Sequence, residues 1–208
     1  MCFSAQASFG ASALLSIISI LSIKKATKRT MYPLVCIPVF FALQQACEGV
    51  VWLTYDHPQF LIINKIAMYS FLFFAFFLWP IWISFALLCL EKRKKIKDIF
   101  LIIMGIGSTV ASGLVWSIYF YGAQTTITCS HIAYDIAIPR YFYAWGIILY
   151  CIATIAPFFL SSKKEMWIFG GALFISVALT LYAYAAYFTS VWCFFAALLS
   201  TMLYRFIK

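Results

Sequence analysis

The residue with the most unusual chemical setting is Glu48, an acid in the middle of a long apolar stretch. Gln44 and Gln45 precede it, and Trp52 follows one helical turn later. At 100° per residue these four side chains fall within an arc of about 100° on one helix face. Glu48 lies seven residues before Tyr55, which is about 10 Å at 1.5 Å per residue. A carboxylate at such depth in a membrane costs about 2–3 kcal/mol or more. It therefore indicates either a hydrogen-bonded knot with a partner helix or a pocket for a ligand or ion, and we favour the pocket.

A second set of reactive residues falls outside the apolar stretches or at their ends: Cys2, Cys129, His131 and Cys193. An oxidising exterior would favour a disulfide from Cys129 to Cys2 or to Cys193. Glu48, Cys129, His131 and Cys193 together offer a donor set suited to a transition metal. A nucleophilic cysteine paired with His131 is a third possibility. The Cys129-x-His131 spacing does not choose among the three.

Composition defines the elements that must position these residues. The chain has 208 residues, of which 65% are hydrophobic and 10% charged, whereas a soluble domain carries about 25% charged residues. Soluble enzymes, secreted disulfide scaffolds and disordered chains are excluded. We predict one all-α membrane domain over residues 1–208, a seven-helix bundle. Its spans are 5–23, 31–55, 62–90, 99–121, 141–160, 166–188 and 191–207, at about 20 residues per span.

The distribution of basic residues predicts the orientation of the spans. All Lys and Arg residues except Lys65 and Arg140 fall in one set of loops, and the positive-inside rule puts that set in the cytoplasm. The N-terminus is then outside and the C-terminus cytoplasmic, in the inner (plasma) membrane of a prokaryote. Because each basic run is short and sits at a helix end, we expect contact with anionic lipid headgroups and no binding of nucleic acid.

Small residues and prolines predict how the helices pack. Ser4, Ser8, Ser12 and Ser16 repeat every four residues in the first span, and Gly105, Thr109 and Gly113 do so in the fourth. Small residues let helices approach closely in lipid, so we expect both faces to be helix contacts. Pro80 predicts a kink in the third span.

Three stretches together resemble a known family. Met1-Cys2-Phe3-Ser4-Ala5 opens the chain, Gln44-Gln45-x-x-Glu48-Gly49-x-x-Trp52 lies in the second span, and Trp192-Cys193-Phe194-Phe195-Ala196-Ala197 lies in the seventh. This pattern resembles a family of microbial multi-pass membrane proteins that is catalogued as a domain of unknown function. The resemblance implies seven helices and an outward-facing site that contains Cys2, Gln45, Glu48, Trp52, Trp192 and Cys193.

These observations lead to a functional prediction with two alternatives. We expect a pocket that opens outward and binds a small ligand or ion, in a sensor or a transporter. Spans one, two and seven would form it under the loop 122–140. Its ligand-binding residues would be Cys2, Gln44, Gln45, Glu48, Trp52, Trp192 and Cys193. The alternatives are a metal- or thiol-dependent membrane enzyme acting at the outer leaflet and a structural subunit of a membrane complex.

Overall fold

The computed structural model describes the backbone of residues 4–128, 130–136 and 140–207, and the side chains of these residues except 140–144. It is 86% helical, so the predicted helical class is confirmed. One element departs from a purely helical fold. Residues 123–136, predicted as part of a long loop, contain a β-hairpin.

The first half of the chain forms long helices with short connections. Helix α1 (Ala5–Lys25) begins at Ser4, whose hydroxyl accepts from the Ala7 N–H at 3.3 Å, and it ends with Lys24 and Lys25, which complement the helix dipole. Helix α2 (Tyr32–Thr54) follows a 3₁₀ turn, Arg29–Met31. One continuous rod follows. It consists of a second 3₁₀ turn (Pro58–Phe60), α3 (Leu61–Leu72), a π-helical segment (Phe73–Leu78) and α4 (Trp79–Leu90).

The second half adds four helices and the hairpin. Helix α5 (Lys94–Tyr121) ends at Gly122, whose φ of 75° lies in the left-handed region that glycine tolerates. Strands β1 (Ala123–Thr128) and β2 (His131–Ile136) pair antiparallel, with Ala123 opposite Ile136 and Thr128 opposite His131. Helices α6 (Arg140–Leu160), α7 (Lys164–Tyr184) and α8 (Phe188–Ser200) follow. A 3₁₀ turn (Ala185–Tyr187) joins α7 to α8, and another (Thr201–Phe206) ends the chain.

Helix α8 closes the bundle. It contacts α7 on one side and α1 and α2 on the other, while α4, α5 and α6 pack against one another. Met166 near the start of α7 and Leu203 after α8 belong to one buried cluster. The chain therefore turns back between α7 and α8, where Tyr184 leaves the helical conformation with φ −139° and ψ 36°.

Five described stretches are apolar and long enough to cross a membrane: Ala5–Lys25, Arg29–Thr54, Pro58–Leu90, Lys94–Tyr121 and Lys164–Phe206. The last is the folded-back α7–α8 stretch, and Trp145–Leu160 of α6 is a shorter apolar helix. Large apolar side chains cover the outer surface, for example Ile62, Ile102 and Ile168, each at least 63% exposed. A surface of this kind is suited to lipid rather than water.

The basic loops converge at one end of the bundle. Lys25 Nζ donates to the Tyr204 carbonyl at 3.1 Å, and Arg93 Nε donates to Ser162 Oγ at 2.6 Å. Apolar residues from these segments, Leu90, Met202 and Phe206, pack on one core cluster. We call this the basic end. The opposite end, which holds the β-hairpin and the turns at 55–60 and 185–187, is called the hairpin end.

The small-residue faces are only partly as predicted. In α1, Ser8 is buried and the Ser12 hydroxyl donates to the Ala42 carbonyl of α2 at 2.8 Å, but Ser16 is exposed. In α5 the prediction is wrong, because a Cβ on Gly105 would meet no atom within 4 Å. Gly107 is the close-packed glycine, where a Cβ would lie 2.0 Å from the Pro80 carbonyl oxygen of α4. The buried face of α5 follows Phe100, Ile103, Gly107 and Val110, a spacing of three to four residues.

The irregularity that Pro80 predicts lies one turn earlier, as the π-helical segment Phe73–Leu78. Such segments break the regular i to i−4 bonding of the helix backbone and are frequent at functional sites. Here the Tyr150 hydroxyl of α6 donates to the Ala75 carbonyl at 2.5 Å. The irregular turn is thereby tied to the helix that faces it.

Candidate functional site

The predicted polar face of α2 is buried inside the bundle. Gln44 and Gln45 are 0% exposed and Glu48 is 2% exposed. Residues i and i+4 of a helix lie on one face, and α8 packs against this face of α2. The Ser190 hydroxyl at the start of α8 donates to Glu48 Oε1 at 2.5 Å. The carboxyl therefore faces protein and not lipid, as predicted.

Gln44 links this region to the irregular rod. Its Oε1 accepts from Trp79 Nε1 at 2.8 Å, and the Trp79 ring stacks on Phe41 with centroids 4.0 Å apart. The side chains of Gln44 and Gln45 interact with Cys193 and Glu48, but the amide nitrogen of Gln44 and both polar atoms of Gln45 make no hydrogen bond of normal geometry within the described part of the chain. Buried polar groups normally have partners, so these amides retain unused hydrogen-bonding capacity.

Glu48 also has two neighbours from other elements. The thiol of Cys193 in α8 and the phenol of Tyr134 in β2 are both close enough to interact electrostatically with the carboxyl. Cys193 is a free thiol, 2% exposed. Burial raises the pKa of Tyr134 well above its usual value, and Glu48 and Cys193 raise it further. Tyr134 is therefore a neutral phenol at physiological pH.

The two faces of the β-hairpin have different surroundings. On one face Ile132 is 0% exposed, and the Tyr134 ring stacks on Phe71 of α3 with centroids 4.6 Å apart. Successive strand residues point to opposite faces, so Thr126, Thr128 and Ala133 share the other face, as does Asp135. This second face turns toward a cavity between the hairpin and α5, α6 and α8.

The cavity has a volume of about 530 Å³, within the usual range for small-molecule sites. Polar, exposed side chains of the hairpin form its mouth: Thr126, Thr128 and Asp135. Its deeper walls are buried and largely aromatic or aliphatic, with contributions from α5, α6, α8 and the π-helical segment. These deep residues include Ala75, Val110, Tyr150, Trp192 and Cys193.

Tyr150 and Trp192 close the cavity toward the middle of the bundle. Their rings meet edge to face with centroids 5.7 Å apart, and Trp192 stacks on Phe188 at 5.4 Å. On the far side of this pair lies a cavity of about 30 Å³, walled by core residues such as Ile83 and Phe169. Tyr150, Trp192 and Cys193 line both spaces, so they form a partition between the open cavity and the apolar core.

Two polar atoms in this region are buried without a described hydrogen-bond partner: Trp192 Nε1 in the wall and Tyr134 Oη on the other face of the hairpin. Leaving a buried donor unpaired costs about 1–3 kcal/mol. The Nε1 atom of the half-buried Trp52, in the apolar cluster beneath the hairpin, is likewise buried without a described hydrogen-bond partner. These donors could serve a molecule that brings acceptors of its own.

The predicted ligand-binding residues divide into three groups. Trp192 and Cys193 line the cavity. Gln44, Gln45, Glu48 and Trp52 lie near it but are not part of its wall, and Cys2 lies outside the described residues. This cavity differs from the pocket predicted between spans one, two and seven, because α5, α6, α8 and the hairpin line it and no residue of α1 does. The predicted pocket stays a prediction. The hairpin packs against α5 and α8, and Tyr134 stacks on Phe71 of α3.

The predicted metal tetrad stays a prediction. Cys129 lies outside the described residues, and within them no three His, Cys, Asp or Glu side chains are placed to hold a metal ion. The His131 ring lies against Tyr184 and Tyr187, with centroids 5.1 and 4.9 Å away. The described part of the structure thus places His131 at the α7–α8 turn.

Sequence reasoning missed several residues that shape the site. Tyr150, Phe76 and Phe188 have no distinguishing signal, because aromatic residues occur throughout the spans. The first strand of the hairpin could have been predicted, because Thr125-Thr126-Ile127-Thr128 consists of β-branched residues, which favour a strand.

Five described helical stretches are long and apolar enough to cross a membrane, and the exposed apolar surface is suited to lipid, so the fold is compatible with a membrane protein of the helical class. Within that class the chain belongs to the family of unknown function DUF6629, whose family model matches residues 1–208. The resemblance to a family of unknown function is therefore confirmed. No curated protein and no solved structure matches the chain.

Proposed function

We propose that this protein spans the membrane seven times and binds a small molecule in the cavity at its hairpin end. The seven spans would be the α3–α4 rod and the six helices α1, α2, α5, α6, α7 and α8. The convergence of the basic loops supports a cytoplasmic basic end, where anionic lipid headgroups would be partners. Exposed aromatic residues near the hairpin end, among them Tyr119, Trp145 and Tyr182, suit the outer interface.

The observation that carries this proposal is the cavity of about 530 Å³, whose wall includes the buried Nε1 of Trp192, which has no hydrogen-bond partner among the described residues. A cleft of this size that has an apolar interior and a few polar groups is typical of small-molecule sites. The Tyr150–Trp192 partition bears on the type of function. A sensor would bind with the partition closed, whereas a transporter would need the two rings to separate.

The experiment measures binding of three benzyl probes to the full-length protein in lipid nanodiscs. The probes are benzyltrimethylammonium, the neutral neopentylbenzene and the anionic phenylacetate, each followed by calorimetric titration. Ala133→Trp places an indole into the cavity from β2, and Gln59→Trp adds the same group at an exposed position of the turn Pro58–Phe60, which does not line it. We expect at least one probe to bind wild type with a dissociation constant of about 1 mM or tighter.

Cavity binding predicts that Ala133→Trp weakens that affinity at least about tenfold, since the indole occupies the same volume, and that Gln59→Trp changes it less than about twofold. The proposal is overturned when none of the probes binds wild type more tightly than Ala133→Trp.

A further inference from the structure

We propose that the cavity selects an organic cation, a small quaternary or protonated amine that carries apolar groups. This inference rests on the proposed function and adds the charge class of the ligand. Three features of the described residues carry it: the aromatic wall, the charge of the mouth and the position of Glu48.

The aromatic wall is the first feature. Rings from the π-helical segment, α6, the α7–α8 turn and α8 surround the space: Phe76, Tyr150, Tyr187, Phe188 and Trp192. An aromatic face carries negative potential and attracts a cation within about 6 Å, most strongly when the cation is desolvated. Trp192, with 6% of its surface exposed, provides the largest ring in the deep part of the wall. Several rings around one space form the arrangement that recognises quaternary ammonium groups.

The charge of the mouth is the second feature. Among the lining residues whose side chains are described, Asp135 is the only one with a charge at neutral pH. Thr126 Oγ1 donates to its Oδ2 at 3.1 Å, which holds the carboxylate at the entrance. A carboxylate at the entrance of a partly enclosed cleft raises the local concentration of cations and disfavours anions.

Glu48 is the third feature. It is not part of the wall, but it interacts electrostatically with Cys193, which lines the cavity, and with Tyr134. Its Oε1 accepts a hydrogen bond from Ser190. Electrostatic interactions in a low-dielectric interior are screened much less than in water, so this carboxyl favours a cation over an anion at the deep end of the cavity.

The test compares benzyltrimethylammonium with neopentylbenzene. The two probes have the same shape, but a quaternary carbon in the neutral probe replaces the charged nitrogen of the cation. It is run at pH 8, where imidazoles are mainly neutral. We expect benzyltrimethylammonium to bind at least about tenfold more tightly than neopentylbenzene, and phenylacetate to bind most weakly. Asp135→Asn should weaken the cation about five- to tenfold and change the neutral probe less than twofold. Asp56→Asn, an exposed acid in the turn after α2, is the matched control and should change neither.

The outcomes separate the two proposals. A neutral probe that binds as tightly as the cation, with both excluded by Ala133→Trp, overturns the charge assignment and leaves the proposed function standing. A preference for the cation that survives in Asp135→Asn overturns the role of the mouth. If no probe distinguishes wild type from Ala133→Trp, the proposed function fails and the inference fails with it.

Discussion

The two buried glutamates, one toward each end of the bundle, have opposite surroundings. At the basic end, Glu91 accepts from the backbone N–H groups of Lys92, Arg93 and Ser162 at 2.9, 3.0 and 2.9 Å, and from the Ser162 hydroxyl. Glu48 accepts from Ser190 and interacts with Gln45, and the amide nitrogen of Gln44 nearby makes no hydrogen bond of normal geometry in the described chain. Glu91 therefore connects two loops through hydrogen bonds, whereas Glu48 lies in a region where several polar atoms are available to bond a ligand.

The chemistry of Glu91 follows from this saturation. Burial alone would raise the pKa of Glu91, but the hydrogen bonds from Arg93, Ser162 and Lys92 outweigh it and lower the pKa to about 2. The ion pair with Arg93, at 3.7 Å, adds little because the Arg93 side chain is 60% exposed. Backbone donors therefore stabilise the carboxylate, and the loops at 91–93 and 161–163 are held together by it.

The largest effect is expected where α5 approaches α4 most closely, at Gly107. In Gly107→Ala the added Cβ would lie 2.0 Å from the Pro80 carbonyl oxygen, which forces α5 away from α4. We expect a loss of about 3 kcal/mol or more in the free energy of unfolding, measured by thermal unfolding in detergent. Gly105→Ala on the same helix meets no atom within 4 Å and should change stability by less than about 1 kcal/mol. Equal effects of the two substitutions would contradict the described packing.

The second prediction removes the charge at the basic end. Glu91→Gln replaces an acceptor of several backbone N–H groups by an amide that can satisfy only some of them. Hydrogen bonds to charged groups contribute about 1.5–3 kcal/mol, so we expect a loss of roughly 2–3 kcal/mol and unchanged probe binding at the hairpin end. Glu165→Gln, an exposed acid at the same end, is the control. If Glu91→Gln lost probe binding but kept its stability, this would contradict the proposal that Glu91 stabilises the fold and that the hairpin end binds the ligand.

The third prediction is the pH dependence of the same contact. The pKa of Glu91 is lowered from 4.5 to about 2 on folding, so its contribution is complete above the unfolded pKa and is lost as the pH falls through the folded pKa. The unfolding temperature of wild type should therefore fall by several degrees between about pH 5 and about pH 2. Glu91→Gln lacks this titration, and its curve should be flatter over the same range. Parallel curves for the two proteins would show that other groups control acid stability.

The smallest effect is expected at the hairpin end. Ser190→Ala removes the described donor to Glu48 Oε1 and should cost about 1–2 kcal/mol. Ser200→Ala in the same helix removes an equally buried hydroxyl that donates only to the Ala197 carbonyl, one turn earlier. It should cost less than about 0.5 kcal/mol, because the backbone carbonyl keeps other partners. A larger loss in Ser200→Ala than in Ser190→Ala would argue against a stabilising bond to Glu48.

Much of the helical framework was predictable, because span length and composition are local properties of the chain. The span predicted at 99–121 corresponds to α5, Lys94–Tyr121, and the span at 31–55 corresponds to α2, Tyr32–Thr54. The burial of Gln44, Gln45 and Glu48 on one helix face is confirmed. Their role in binding a ligand stays a prediction, since they lie behind the cavity wall and not in it.

The sequence alone determined the apolar helices, the asymmetry of charge and the inward face of α2. Each of these depends on residues within about one helical turn of one another, or on composition. Only the tertiary structure decided that the hairpin lies inward, that Gly107 and not Gly105 meets α4, and that Tyr150 and Trp192 separate the cavity from the core. These features depend on contacts between residues far apart in the chain. In a sequence rich in aromatic and small residues, many helix faces could make such contacts, and the packing of the whole bundle selects one.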